Sequence, residues 1–270
     1  MNPAATSDLP SGQILSVRDL SLSFRLRYYE QRTMRGVFVE MARNPLGALL
    51  KSKDRLHVLH NVSFSLKKGD RLAVMGVNGS GKTSLCRCIA SMLHPDSGQV
   101  RIAGSCRAVF DAGVGVIPEL TGRENASLLA SLLYPGDSPD ALQALVDEAT
   151  RFSELDHFLD VPYETYSLGM KARLFLSVVT AKPADLLILD EVYDNTDRFF
   201  QKKMTERLMN FIQSAKAVIF VTHSADVMRQ VCNRALILHQ SRVAFDGDIQ
   251  DAIAAYDSLQ GRSLSGGTGA

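Results

Sequence analysis

Apolar and polar residues alternate over Ile14–Val17 and again over Leu20–Phe24, the two-residue period of strands in a half-buried sheet. The same pattern resumes over Leu56–Leu66 and stops at the turn Lys67-Lys68-Gly69-Asp70. Arg71–Met75 is a short apolar strand that runs straight into a glycine-rich stretch, and Thr83–Leu93 then reads as a helix stopped by His94-Pro95-Asp96-Ser97-Gly98. A strand pair follows, Gln99–Ile102 and Cys106–Phe110, joined by Ala103-Gly104-Ser105. From about Pro118 to Lys182 the period changes: Asn125–Leu133, Pro139–Phe152 and Gly169–Val179 have helical spacing with no strand between them. Ser138 stands as N-cap before Pro139 at the first helical position. Strand and helix alternate again over Leu186–Leu189, Phe199–Ser214, Ala217–Val221, Ala225–Cys232, Ala235–His239 and Arg242–Asp246. The pattern predicts an α/β fold: a parallel-sheet core with N-terminal antiparallel strands and an inserted helical subdomain over about 118–182. Residues 1–12 and the Gly-rich 260–270 are expected to be disordered.

Composition changes this picture little. The chain of 270 residues is 46% hydrophobic and 22% charged with a net charge of +1, the balance of a soluble globular protein. No block of like charge points to nucleic acid. Apolar runs are far too short to span a bilayer, and the N-terminus lacks the apolar core of a signal peptide, so a membrane role needs a partner or a surface contact. Cys86, Cys88, Cys106 and Cys232 show no metal-site spacing and read as reduced, structural thiols.

The chemistry lies first in Gly76-Val77-Asn78-Gly79-Ser80-Gly81-Lys82-Thr83, a complete P-loop between a strand and a helix. Such a loop turns backbone N–H groups toward one point, where phosphates bind with the help of the helix dipole. Gly79 and Gly81 permit the tight path, Lys82 reaches the β- and γ-phosphates, and the Thr83 hydroxyl takes a site on Mg²⁺. Gly76, Asn78, Ser80 and Ser84 complete the ATP-binding set. With glycine near 7% of residues, the bare pattern arises by chance in roughly one per cent of chains this long. The flanking strand and helix lower that further.

The second element is Leu186-Leu187-Ile188-Leu189-Asp190-Glu191, a buried strand ending in two carboxylates. Asp190 is placed to hold Mg²⁺ through water, and Glu191 to polarise an attacking water as general base. Ala217–Val221 ends in Thr222-His223-Ser224, which sets His223 where it can contact a γ-phosphate; a strand-end histidine with no such role is the alternative. Tyr166-Ser167-Leu168-Gly169-Met170-Lys171-Ala172-Arg173 opens a helix, and its Ser and Gly serve equally as an N-cap or as a phosphate site.

In this order the elements resemble the ATPase subunit of ATP-binding cassette (ABC) transporters across nearly the whole chain. The resemblance implies a single nucleotide-binding domain over 13–259, an ATP hydrolase, and a sandwich of two copies around ATP. It assigns Phe24 to adenine stacking and His223 to the switch histidine. It places Ser167 and Gly169 in the signature loop that closes on the other subunit's ATP, and Asp197 in the D-loop. Pro118-Glu119-Leu120-Thr121-Gly122-Arg123-Glu124-Asn125, Phe152-Ser153-Glu154-Leu155, the variant signature Tyr-Ser-x-Gly-Met, Phe200-Gln201-Lys202-Lys203 and Ile253-Ala254-Ala255-Tyr256 are similar to the polysaccharide-export branch, which handles capsule, O-antigen and teichoic acid polymers. That branch implies a transmembrane permease partner and a place on the cytoplasmic face of the inner membrane. Some members carry a C-terminal carbohydrate-binding domain; with the chain stopping at Ala270, none is expected.

Departures from the family pattern are specific. No glutamine stands at the Q-loop position near Asp111 or Ala112; Leu168 replaces the first signature glycine; Asp194-Asn195-Thr196-Asp197 is unusually acidic. Slower hydrolysis than in a typical member is the expectation. The segment Arg25–Arg55 carries eight Arg or Lys against three acidic residues. Met34, Val37, Phe38 and Met41 follow helical spacing, with Arg32, Arg35 and Arg43 on the opposite face. Contact with a lipid headgroup and an ordinary docking helix remain equal readings of it. Three function classes follow: a polysaccharide exporter subunit, an ATPase of another transporter class or a soluble ABC ATPase acting on nucleic acid or ribosomes, and a nucleotide-gated module without turnover.

Overall fold

A computed structural model of the protein describes residues 9–25, 55–110, 115–190, 198–221 and 225–256. The expected helices within 25–55, residues 1–8 and 257–270, the Q-loop position, Glu191, Asp197 and His223 lie outside the described residues.

Strand β1 (Gln13–Arg25) pairs antiparallel with β2 (Arg55–Lys67), from Gln13↔Lys67 to Arg25↔Arg55. The two short strands expected over 14–24 are one long strand. The break between them is a register shift after Val17, where Asp19 takes a positive φ of 49° and its N–H is held by Ser63 Oγ at 2.8 Å. On its other edge β1 pairs with β4 (Ser97–Ile102), giving a three-stranded sheet in the order β2-β1-β4.

The main sheet has six strands in the order β5-β6-β7-β3-β8-β9. It contains β3 (Arg71–Met75), β5 (Cys106–Val109), β6 (Leu186–Asp190), β7 (Ala217–Val221), β8 (Arg234–His239) and β9 (Arg242–Asp248). All pairings are parallel except β8 with β9. The expected strand pair over 99–110 is therefore corrected: β4 and β5 part into two different sheets. Asp185 explains the parting. Its Oδ2 accepts from Ser105 N and Oγ at 2.7 and 3.0 Å, and a Cβ at Gly104 would meet it, so the connection is pinned against β6 and cannot close a hairpin.

Side chains of the main sheet alternate between two cores, as a period of two requires. Leu72, Val74, Ile188, Ile219 and Leu236 face the small sheet, and helix α1 (Lys82–Ile89) is packed between the two with Leu85, Cys86, Cys88 and Ile89. Ala73, Leu187, Leu189, Val218, Phe220 and Ile237 face the helical side. That side holds α2 (Gly122–Leu133), α3 (Pro139–Ser153), α4 (Leu168–Val179), α5 (Arg198–Ser214) and α6 (Ala225–Val231). Two 3₁₀ turns, Asp156–Asp160 and Tyr163–Thr165, lead from α3 to α4.

Helix ends follow local chemistry. Ser138 caps α3 before Pro139, as read from sequence. A capping box between Thr121 and Glu124 starts α2 three residues before the expected Asn125. Helix α1 stops at Ile89 rather than Leu93. Ser91 adopts φ 59°, and the Ser91 and Met92 amides donate back to Cys88 and Arg87, the double closure that terminates a helix. Arg71 closes α5 by donating to the carbonyls of Ile212 and Ala215 at 3.2 and 3.0 Å. Among the described residues, no helix is long and apolar enough to cross a membrane, and all four cysteines are free.

Candidate functional site

The C-terminal edge of the parallel strands is where an open α/β sheet offers a ligand site. On that edge Val74, Val221 and Asp190 lie level across β3, β7 and β6, because Val74 pairs with Val221 and Val221 with Asp190. Two strand spacings separate the ends of the row, so Asp190 stands about 10 Å from the strand that delivers the P-loop.

The loop itself is built around positive φ at Gly76, Gly79 and Gly81 (151°, 79° and 101°). The crowding is uneven. A Cβ at Gly76 would lie 2.5 Å from both Leu238 O and Ser80 Oγ, and one at Gly81 would lie 2.7 Å from Val58 O, while Gly79 has open space around it. Of the two glycines expected to permit the tight path, Gly81 is enclosed and Gly79 is not; the other enclosed position is Gly76. The nearest walls are the backbone carbonyls of Val58 on β2 and Leu238 on β8, which no side-chain pattern could reveal; the Leu59 and Val58 side chains follow at 3.0 and 3.2 Å from a Cβ at Gly81.

Lys82 is buried, and its Nζ donates to Gly76 O at 2.8 Å and Val77 O at 3.2 Å. The ammonium therefore lies inside the curl of the loop. Ser80 Oγ is buried there without a hydrogen-bond partner. Helix α1 begins with Gly81 as N-cap, with no side chain accepting from its first-turn amides and no acidic residue in that turn. Bare N–H groups, a dipole end and an enclosed cation make a cradle suited to phosphate.

Thr83 opens the first turn of α1 beside Lys82 and is half-buried. Asp190 is buried at the end of β6. Burial first, then the Asp190 carboxylate, push the Cys86 thiol well above the ordinary value. Cys86 and Thr83 are three apart and share a face of α1. A hydroxyl and a carboxylate are hard oxygen donors of the kind Mg²⁺ takes alongside substrate phosphates. Among the described residues no cluster of three or more His, Cys, Asp or Glu forms a metal site, and a phosphate-shared ion needs none.

Phe24 sits on β1 opposite Leu56 and is 41% exposed. Leu22, two residues earlier, pairs with Leu59, whose side chain touches the space around Gly81. An exposed aromatic ring is thus carried to the neighbourhood of the P-loop by the β1–β2 ladder. The signature candidates lie elsewhere. Ser167 caps α4, its Oγ accepting from Met170 N at 3.2 Å. Leu168 is 74% exposed, and a Cβ at Gly169 would meet only Ser167 Oγ, at an ordinary contact distance of 3.9 Å. Ser167 is an N-cap, and it opens a solvent-facing helix end. Of the sequence-predicted site residues, the structure brings together Gly76, Asn78, Gly79, Ser80, Gly81, Lys82, Thr83, Ser84 and Asp190. Ser167 and Gly169 form a separate surface.

Residues 59–194 match the ABC transporter family. The O-antigen export system ATP-binding protein RfbE of Yersinia enterocolitica is 35% identical over 185 residues, 68% of this chain and 77% of that protein. RfbB of Klebsiella pneumoniae, of the same description, is 34% identical over 208 residues, 77% of this chain and 83% of that one. The teichoic acids export ATP-binding protein TagH of Bacillus anthracis is 32% identical over 203 residues; the match covers 75% of this chain but 36% of TagH. Among solved structures, a dimeric ATP-binding cassette in a post-hydrolysis state with ADP and Pi superposes with a TM-score of 0.64 at 20% identity, over 87% of this chain and 99% of that one. The fold is that of a cassette ATPase, and with the family match spanning half its length the chain belongs to the ABC transporter family.

Proposed function

We propose that this chain binds and hydrolyses ATP as one half of a dimer and thereby energises the export of a polysaccharide or lipid-linked polysaccharide through a membrane permease. The observation that carries the reading is the P-loop cradle, with Lys82 held inside it and Asp190 level with its entry strand. The polymer class rests on the O-antigen and teichoic acid export proteins to which the chain is similar.

In this reading Lys82 leaves the Gly76 and Val77 carbonyls for the β- and γ-phosphates, while the first-turn amides of α1 hold the phosphate oxygens. Thr83 and, through water, Asp190 would hold Mg²⁺, which when bound neutralises charge on those phosphates. Phe24 stacks on adenine. Glu191, next after Asp190, orients the attacking water and takes its proton, and His223 contacts the γ-phosphate. Ser167 and Gly169, with Asp197, complete the site of the second copy, whose own loop completes this one. The permease places the pair on the cytoplasmic face of the inner membrane, and residues 25–55 supply a basic surface toward a lipid headgroup.

The test is complementation of a strain that has lost this gene together with its surface polymer. The unaltered chain restores polymer, whereas Lys82→Ala and Glu191→Gln do not, and Glu191→Gln accumulates ATP-stabilised dimers. Full polymer with Glu191→Gln would sink the reading. Removing charge at Arg32, Arg35 and Arg43 should impair export and spare ATP binding; intact export ends the headgroup role.

A further inference from the structure

The segment Pro118–Asn125 is stitched to the chain just ahead of Ser167. Tyr163 N donates to Leu120 O at 2.8 Å, Glu164 N to Pro118 O at 2.9 Å and Gly122 N to Val161 O at 3.3 Å. Asn125, fully buried, closes the segment on itself: its Oδ1 accepts from Ile117 N at 2.8 Å, and its Nδ2 donates to the carbonyls of Ile117, Leu120 and Thr121. Arg123 reaches Asp160 at 3.0 Å.

Gly122 is the anomaly in this arrangement. It occupies the first turn of α2 with an ordinary φ, so the helix backbone would accept alanine. What excludes a side chain is Tyr166: a Cβ at Gly122 would lie 1.9 Å from its Oη and 2.9 Å from its Cζ. Tyr166 is buried, donates its hydroxyl to Phe158 O and packs on Tyr163 with ring centroids 5.2 Å apart. It is also the residue before Ser167, the cap from which the exposed end of α4 is built.

From this contact we infer that Gly122 and Tyr166 are positioning residues for the Ser167–Gly169 loop: the bare Cα of Gly122 is the socket that seats Tyr166 and so fixes where Ser167 and Gly169 present themselves to the second copy's ATP. The inference rests on the reading of that loop as acting in trans. The Pro118–Asn125 segment, which has no residue at the P-loop, thereby acquires a part in turnover. It joins the chain leaving β5 to the loop that meets the partner's nucleotide.

The experiment compares Gly122→Ala, Tyr166→Phe and the double variant in the full chain, measuring ATP turnover, ATP affinity of the monomer, and amide hydrogen exchange at Met170 and Lys171, whose amides bond to Ser167. Alanine at 122 should lower turnover about 10- to 100-fold, the scale set by misplacement of a group by about 1 Å. Monomer affinity for ATP should stay within about twofold, and exchange at 170 and 171 should quicken. Tyr166→Phe in the Gly122→Ala background deletes the nearer of the two atoms in conflict, leaving only the 2.9 Å approach to Cζ, and should return both readouts most of the way to the level of Tyr166→Phe alone. Turnover that survives Gly122→Ala, or a loss that Tyr166→Phe leaves in place, overturns the inference. Should Gly122→Ala fail to fold, a Tyr166→Phe chain with full turnover and unaltered exchange overturns it. An unaltered chain without ATP turnover would instead refute the proposed function, and the exchange pattern would still decide whether Tyr166 seats Ser167.

Discussion

Lys82 Nζ and the carbonyl oxygen of Gly76 are hydrogen-bonded at 2.8 Å, so the cation that would meet phosphate is parked on the loop that surrounds it. The ammonium is already desolvated, and its two carbonyl partners can be exchanged for phosphate oxygens with little further loss of water.

Lys82→Ala is accordingly expected to weaken ATP binding by about 10- to 100-fold, the range of one or two charge-assisted hydrogen bonds. Calorimetric titration of the monomer measures it. An affinity within about twofold of the unaltered chain would mean that the amides of α1 alone hold the phosphates.

Leu168 projects into solvent from the first turn of α4, 74% exposed, between Ser167 and Gly169. Its side chain keeps a backbone from approaching phosphate closely, which glycine would allow. Leu168→Gly should raise ATP turnover of the complex several-fold while costing at most about 1 kcal/mol of stability. Unchanged turnover in a steady-state assay would acquit this residue.

Arg207 ties three helices together. It donates to both Glu148 oxygens at 2.6 and 2.9 Å, to Thr180 Oγ1 at 2.7 Å and to Ser177 O at 3.3 Å, and it lies over the Phe152 ring at 4.0 Å. Truncation to alanine should destabilise the protein by about 2 kcal/mol, chiefly through the lost bonds to α4. Glu148 is nearly half exposed, so Glu148→Gln should cost under about 1 kcal/mol. Urea unfolding compares the two; equal losses would place the energy in the ion pair instead.

The buried thiols give a prediction in pH. Burial pushes Cys88 up to about 11 and Cys232 up to about 12. A folded-state value above the unfolded one means the native chain keeps its protons longer, so stability falls as pH rises from about 9 toward 12 and is flat below that window as far as these groups are concerned. Cys88→Ala should flatten the first part of the fall in alkaline denaturation. Native-state labelling of either thiol at pH 8 should be slow and should become rapid on unfolding; rapid native labelling would contradict the burial.

The P-loop and β6 were legible because their signals are local: glycines, a lysine and an apolar run ending in Asp190, all within a few consecutive positions. Ser138–Pro139 was legible for the same reason. Ala103-Gly104-Ser105 looked like a hairpin turn, and only Asp185, far along the chain, makes it a crossing between sheets. Ser91 ended α1 early without announcing itself, since glycine or asparagine is the usual signal there. The notch at Asp19 split one strand into two on paper, because a bulge reads as a break in the alternation. Gly122 carried no readable meaning until Tyr166 was seen against it.

The register pair Arg25↔Arg55 brings the two ends of segment 26–54 face to face across a finished ladder. Whatever lies between them is therefore grafted onto the cassette at one rung. Lengthening such a loop costs only about 0.6 kcal/mol per doubling. Strand pairing from Leu56 to Lys67 proceeds without reference to its contents. Segment 26–54 can thus change in length with little cost to the ladder that flanks it, so the cassette tolerates variation there that it would not tolerate in β1 or β2.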